Sequence, residues 1–329
     1  MHEDELVRKI GNAMSSNLGP HPQLRLGMGD DAALLRPRHG HQLVLTCDWF
    51  LEGTHFLRDK HPPDSVGWKC LARAVSDIAA MGGVPRCFLL SLAMPSSHTG
   101  RWLDQFLSGL RLASRKFRCA LGGGDTTRHS RILMNVTVIG EVRTGFATLR
   151  SGARPGDLIY LSGRLGEADI GLQLMKRGKR PASTMDRHLR KHLYPEPRLA
   201  LGHWLAEKRL ASAMMDLSDG LSSDLPRLCA ASGAGARIDS SLVPLAQGAP
   251  QARKLGLSLL RLALHGGDDY ELLFTIPPRK KYFLPRAFRG LPLTPIGVIT
   301  GEKQIVVVDE LGRKQRLAPG GWDPFRARH

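Results

Sequence analysis

No stretch of this 329-residue sequence is apolar for long enough to span a membrane, and cysteine is thin. Cys47, Cys70, Cys87, Cys119 and Cys229 are odd in number, scattered, and form no CxxC. That excludes a zinc ribbon and a disulfide framework and points to a reducing compartment. The acidic start, Met1-His2-Glu3-Asp4-Glu5, is unlike a signal peptide, so a cytoplasmic protein is expected. Aromatic residues make up only 6% of the chain, too few to interleave with its basic runs. The net charge of +17 is dispersed over solvated faces, and no helix-turn-helix, zinc-finger or RNA-recognition signature accompanies it. A basic, non-catalytic nucleic-acid or phosphate binder is therefore the weaker alternative. Two phosphate-handling signatures are missing as well. There is no GxxxxGK[ST], Gly178-Lys179-Arg180 lacking both the preceding glycine and the following hydroxyl, and no HRD or DFG set.

Acidic residues are scarce too, 30 against 47 Lys and Arg, which makes their placement informative. Aspartates recur in Gly29-Asp30-Asp31, Thr46-Cys47-Asp48, Ser76-Asp77, Gly124-Asp125-Thr126-Thr127 and Asp216-Leu217-Ser218-Asp219-Gly220. Each segment follows a hydrophobic run and reads as a turn, the usual place from which a fold delivers side chains to a site. Carboxylates converging on one point repel by roughly 4 kcal/mol per pair at 4 Å and an effective dielectric of 20. An oxygen-seeking divalent cation such as Mg²⁺ offsets that repulsion. The residues thus suggest a metal-dependent site for phosphates. One Gly-Asp alone would only mark a turn that bonds its own backbone.

Length makes two domains the expectation, with a boundary at the polar, turn-rich Arg150–Asp157 segment: 1–149 and 150–329. The pattern predicts helices over 5–18, 65–81 and 167–175, around Trp102, Phe106, Leu110 and Ala113, and over 221–231. Strands are expected over 42–46 (ending at Asp48), 88–93, 132–142, 158–162, 213–216, 271–276 and 304–309. Residues 178–190 read as an exposed loop or helix, and Gly122-Gly123-Gly124 as a turn. In the 65–81 helix, Leu71, Ala74, Val75 and Ile78 share the core face, while Lys69, Arg73 and Asp77 share a second face that points away from it.

Taken together and in order, the segments resemble the bacterial thiamine-monophosphate kinase family, within the superfamily that includes aminoimidazole-ribotide synthetase. The matching stretches are Gly27–Leu34, Asp48–Phe56, Ser76–Gly82, Gly123–Thr127, Arg150–Ala153, Asp216–Leu221 and Gly266–Leu272. The resemblance implies an α/β (α+β), two-domain fold, with an N-terminal mixed-sheet domain that binds nucleotide and metal and dimerises, and a C-terminal α/β domain. It implies ATP-dependent phosphorylation of thiamine monophosphate to thiamine diphosphate by direct transfer, in a homodimer with neither nucleic-acid nor membrane partners. Asp31, Thr46, Cys47, Asp48, Asp77, Asp125, Asp216 and Asp219 would hold several Mg²⁺ ions. Gly124, Asp125, Arg150 and Ser218 would contact ATP. His55, Asp268 and Trp322 would border thiamine monophosphate, and Asp125, Asp219 and Arg150 would carry the transfer. This chain departs from the family in three places. Asp268 stands where Glu is common, Cys47 where Thr is frequent, and Ala74-Val75 where Asn-Leu often precedes Ser76-Asp77. Another ATP-dependent enzyme of the same superfamily is the alternative.

Overall fold

The structure is a computed structural model describing residues 3–15, 22–28, 32–178, 186–247, 249–254 and 256–325. They fall into two compact units, the first running to Ile78 and from Gly83 to Gly145, the second comprising Ala79–Gly82 and everything from Phe146. Asp30 and Asp31 lie outside the described residues.

In the first unit the order is α1 (Glu3–Ser15), β1 (Leu24–Leu26), β2 (Leu34–Leu35), β3 (His41–Leu51), α2 (Pro63–Ala80), β4 (Val84–Met94), α3 (Arg101–Phe117), β5 (Ala120–Arg128) and β6 (Leu133–Arg143). Four strands form one sheet in the order β3-β6-β4-β5, antiparallel except for the parallel β4–β5 pair. Strand alternation sorts its faces. Phe50, Met134, Val136, Val138, Phe88 and Leu90 are buried, while Leu43, Leu45, Cys47 and Trp49 on β3 are exposed.

Two expectations change here. Asp48 and Asp125 sit within strands rather than at turns, because β3 continues to Leu51 and β5 runs through all three glycines to Arg128. Asp77 lies inside α2, in the helix expected over 65–81. The second face of α2 is not solvated: Lys69 is completely buried, and the Arg73 guanidinium lies 5.4 Å from the centre of the Phe50 ring. Both α3 and β3 pack on this helix, with Trp68 edge-on against Phe117, and Arg73 and Asp77 are left half-buried.

The second unit runs β7 (Leu158–Ser162), α4 (Glu167–Lys176), α5 (Arg187–Leu193), α6 (Leu199–Glu207), β8 (Ala213–Leu217), α7 (Leu221–Ser232), β9 (Gly235–Asp239), α8 (Ala249–Lys254), α9 (Leu259–His265), β10 (Glu271–Ile276), β11 (Ala287–Phe288), β12 (Leu291–Thr300), β13 (Ile305–Val308) and β14 (Lys314–Arg316). Its sheet has the order β14-β13-β9-β12-β7-β10-β8, with β11 paired to β12. Both faces are covered. Ile159, Leu161, Met215, Leu217 and Leu273 pack with Leu221, Leu225 and Leu228 of α7 on one side. Tyr160, Met214, Leu272 and Phe274 pack with Leu201 and Leu205 of α6 on the other. Burial on two faces explains why β8 and β10 read as continuous apolar runs. The described end of the 178–190 stretch is less exposed than expected, since α5 buries His188, Leu189, His192 and Leu193.

Candidate active site

In the first unit, alternation along β3 turns Thr46 and Asp48 to the half-buried side and Cys47 to the exposed side. Thr46 donates its hydroxyl proton to Asp77 Oδ2 on α2. The Cys47 thiol instead donates to Asn135 Oδ1 at 3.1 Å. His55 follows in a turn, its Nδ1 accepting the Leu51 N–H at 3.0 Å and its ring stacked 5.9 Å from Phe50. Its neutral form therefore carries the proton on Nε2.

Gly124 and Asp125 lie at the opposite edge of that sheet. The register links Asp48 to Val136, Val136 to Leu90 and Leu90 to Gly124. Three strand spacings put about 14 Å between the outer backbones. Asp125 joins Gly123, Gly124, Thr126, Leu121, Leu90, Met28 and two residues of α1 in lining a cavity of about 150 Å³. The Thr126 hydroxyl there is buried with no hydrogen-bond partner among the described residues. Gly124 is demanded by close approach: a Cβ would stand 1.9 Å from the Leu90 carbonyl oxygen.

The second unit gathers a tighter cluster at the C-terminal end of β8. Asp216, 3% exposed, is the last residue but one of the strand, and Ser218-Asp219-Gly220 turns the chain into α7. Gly220 has φ +102°, and a Cβ there would meet the Gly266 carbonyl oxygen at 2.8 Å. Two other segments hang on this turn. The Asp268 amide donates to the Ser218 carbonyl at 2.8 Å, and the Trp322 amide donates to the Asp219 carbonyl at 2.9 Å. Ser218, Asp219, Asp268 and Trp322, more than one hundred positions apart at the extremes, are therefore neighbours. Arg150 is exposed near the start of this unit, its carbonyl accepting from Ser232 Oγ at 3.0 Å.

Among the described residues, no three His, Cys, Asp or Glu side chains converge on a point that could hold an ion. Five of the six aspartates divide between the units, Asp48, Asp77 and Asp125 in the first and Asp216 and Asp219 in the second. The donor chemistry nonetheless fits a hard divalent cation. Thr46, Asp48 and Asp77 offer oxygen on one side of β3, and the soft thiol of Cys47 faces away.

Two family models cover most of the chain: the AIR synthase related protein N-terminal domain over residues 29–142, and the C-terminal domain over 154–310. The chain is 37% identical over 324 residues to thiamine-monophosphate kinase of Escherichia coli strain K12, covering 97% of each. The crystal structure of thiamine-monophosphate kinase from Stenotrophomonas maltophilia K279a superposes with a TM-score of 0.79, at 34% identity over 93% of this chain and 96% of that one. The chain belongs to the thiamine-monophosphate kinase family. A structure of AaThiL complexed with AMPPCP and TMP is also similar, with a TM-score of 0.78 and 31% identity over 98% of this chain and 97% of that one.

Beyond the motif positions of this kinase family, the structure adds residues that the sequence reading passed over. Asp224, fully buried on α7, accepts the Asp219 and Gly220 amides, each at 3.1 Å, and so shapes the turn. Burial, reinforced by the charge of Asp219, pushes its carboxyl up to about 7. Arg227 donates to both Asp219 Oδ2 (2.6 Å) and Asp224 Oδ1 (2.7 Å). An acidic residue in the first turn of a helix was the available signal. Asp269, beside Asp268, accepts the Gly166 and Ala168 amides at the start of α4 at 2.6 and 3.2 Å, and burial pushes its carboxyl up to about 7. Glu271 receives Ser162 Oγ at 2.6 Å, Lys191 Nζ at 2.7 Å and Arg198 in a two-pronged contact. Burial alone would raise this carboxyl, but Lys191 and Arg198 outweigh it and hold it at about 2.

Proposed function

We propose that this chain is an ATP-dependent kinase that converts thiamine monophosphate to thiamine diphosphate. The observation that carries the reading is similarity along nearly the whole chain to thiamine-monophosphate kinases, including AaThiL complexed with AMPPCP and TMP. AMPPCP is a methylene analogue of ATP, and its pairing with TMP matches a donor and an acceptor bound together. The gathering of Ser218, Asp219, Asp268 and Trp322 at one turn is consistent with a built recognition site.

A phosphate oxygen of thiamine monophosphate forms the new bond to the terminal phosphorus of ATP as the bond to the bridging β–γ oxygen breaks. ADP leaves with that electron pair, and no phosphoenzyme forms. Asp31, Asp48, Asp77, Asp125, Asp216 and Asp219, with the Thr46 hydroxyl and the Cys47 backbone oxygen, hold Mg²⁺. When bound, Mg²⁺ neutralises phosphate charge and lowers repulsion between the two anions. Gly124, Asp125, Arg150 and Ser218 position ATP, and Arg150 adds positive charge toward the transferring group. His55, Asp268 and Trp322 position thiamine monophosphate, Trp322 as a stacking surface.

In this reading residues 1–149 bind nucleotide and metal and form the dimer, 150–329 complete the enzyme, and the protein acts in the cytoplasm. Support for self-association is the exposed apolar stripe Leu43, Leu45 and Trp49, on an edge strand of a sheet whose other face is filled. Among the described residues, no helix is long and apolar enough to cross a membrane.

The test is ADP formation with Mg-ATP and thiamine monophosphate, with thiamine and aminoimidazole-ribotide precursors as controls. Turnover with the monophosphate alone, lost on chelating Mg²⁺, is the expected result. Turnover with an aminoimidazole-ribotide precursor instead would move the chain to another branch of the superfamily.

A further inference from the structure

Residues 268–270 form an unusual stretch of backbone. Asp268 has φ +67° and Tyr270 φ +49°, two left-handed residues that are not glycine, one of them bulky. Such geometry persists only where surroundings over-determine it. Here the Asp268 amide is tied to the Ser218 carbonyl and the Tyr270 amide to the Leu217 carbonyl, at 2.8 and 2.9 Å. Between them Asp269 turns into the interior to accept two amides at the start of α4.

The consequence falls on Asp268. Tyr270 is 2% exposed, and its hydroxyl donates to Asp268 Oδ1 at 2.8 Å. Asp268 Oδ2 lies 3.8 Å from Nδ1 of His192, which is equally buried. His192 sits on α5 immediately after Lys191, which is bonded to the buried Glu271 carboxylate. Each carboxylate oxygen thus faces a buried, fixed side chain, while the carboxylate itself keeps a quarter of its surface open to solvent. A phenylalanine would fill the same volume, so packing alone does not call for the hydroxyl.

We propose that Tyr270 is a positioning residue for the phosphate acceptor. It locks the Asp268 carboxylate, with His192 on the second oxygen, in the orientation that meets the cationic ring and amino donors of thiamine monophosphate. The proposal rests on the reading of Asp268 as a substrate contact.

The experiment measures steady-state kinetics and calorimetric binding of thiamine monophosphate for wild type, Tyr270→Phe, Asp268→Ala and the double variant, each checked by thermal melting. Tyr270→Phe is expected to raise KM and Kd for thiamine monophosphate about tenfold, as for a lost hydrogen bond to a charged group. Its kcat and KM for ATP should stay within about twofold. In the Asp268→Ala background, Tyr270→Phe should add nothing. His192→Gln gives the same readout without touching the strained turn, and is expected to weaken thiamine monophosphate binding with kcat preserved. Additive effects in the double variant, or an equal fall of kcat with both substrates, would make Tyr270 merely structural. An effect of Asp268→Ala with Tyr270→Phe silent overturns this proposal alone. Unchanged binding in Asp268→Ala, or none by the wild type, overturns it together with the substrate reading.

Discussion

Arg227 stands 2.6 Å from the Asp219 carboxylate, at the turn that carries a proposed metal ligand. The same guanidinium nitrogen reaches the buried Asp224 at 2.7 Å, so a single cation is shared between two neighbouring acids. A divalent ion on Asp219 must compete with it. Arg227→Met should cost about 1–3 kcal/mol in metal-free buffer, the usual penalty for a buried polar group left without its partner. Added Mg²⁺ should then raise the melting temperature more in the variant than in the wild type. Equal Mg²⁺ shifts in the two proteins would show that Arg227 and the metal do not share Asp219.

Asp125 differs from Asp219 in being an exposed carboxylate within an edge strand. Its replacement should therefore separate function from folding. Asp125→Asn is expected to lower turnover by about a hundredfold or more, as when a preorganised electrostatic group is lost. Stability in metal-free buffer should move by no more than about 0.5 kcal/mol, typical of surface changes. Urea titration beside the ADP assay checks both, and a large loss of stability would mark Asp125 as structural.

The glycine at position 124 is dictated by the backbone of β4. A methyl group there would lie 1.9 Å from the Leu90 carbonyl oxygen and 2.7 Å from its carbon, neither of which can swing aside. Gly124→Ala should destabilise the chain by about 1–3 kcal/mol or more, the range for overpacking. The change would also part β4 from β5 next to Asp125. A midpoint in urea matching the wild type would show that the strands separate freely.

How much of this was legible beforehand depended on whether the cause was local. The apolar runs of β4, β6, β8 and β10 and the periodicity of α2 and α3 announced themselves, because side-chain burial leaves a period in the sequence. The glycine triplet of β5 did not. Gly124 answers to the neighbouring strand, a long-range fact, and so the triplet looked like a turn. Lys69 failed for the same reason, since nothing in its own helix foretells the elements that enclose it. The aspartate positions were visible, but Asp224, Arg227 and Tyr270 act through other residues, and such roles have no spacing of their own.

The exposed stripe of β3 bears on self-association. Leu45 is 65% exposed and Trp49 57%, and strand alternation puts both on one face with Leu43. If a second copy covers this face, Leu45→Glu combined with Trp49→Glu should convert a dimer to a monomer. Light scattering on the eluted peak reads the mass, and circular dichroism confirms that the fold is kept. A double variant with unchanged mass would place any dimer contact elsewhere.

Glu271 makes acid stability testable. Its carboxyl is held at about 2, below the ordinary 4.5, by Lys191 and Arg198 against the opposing effect of burial. The unfolded chain therefore binds this proton more readily than the folded chain does. The stabilisation is complete above about pH 4.5, declines as pH falls, and is gone below about pH 2. A shift of that size corresponds to something on the order of 3 kcal/mol. Glu271→Gln should thus be markedly less stable at pH 7, where Lys191 and Arg198 lose their counter-charge. Between pH 5 and pH 2.5 its stability should fall less steeply than that of the wild type, because one titrating group has been removed. Urea midpoints across that range give both slopes, and parallel slopes would mean that Glu271 is not held ionised by its two cations.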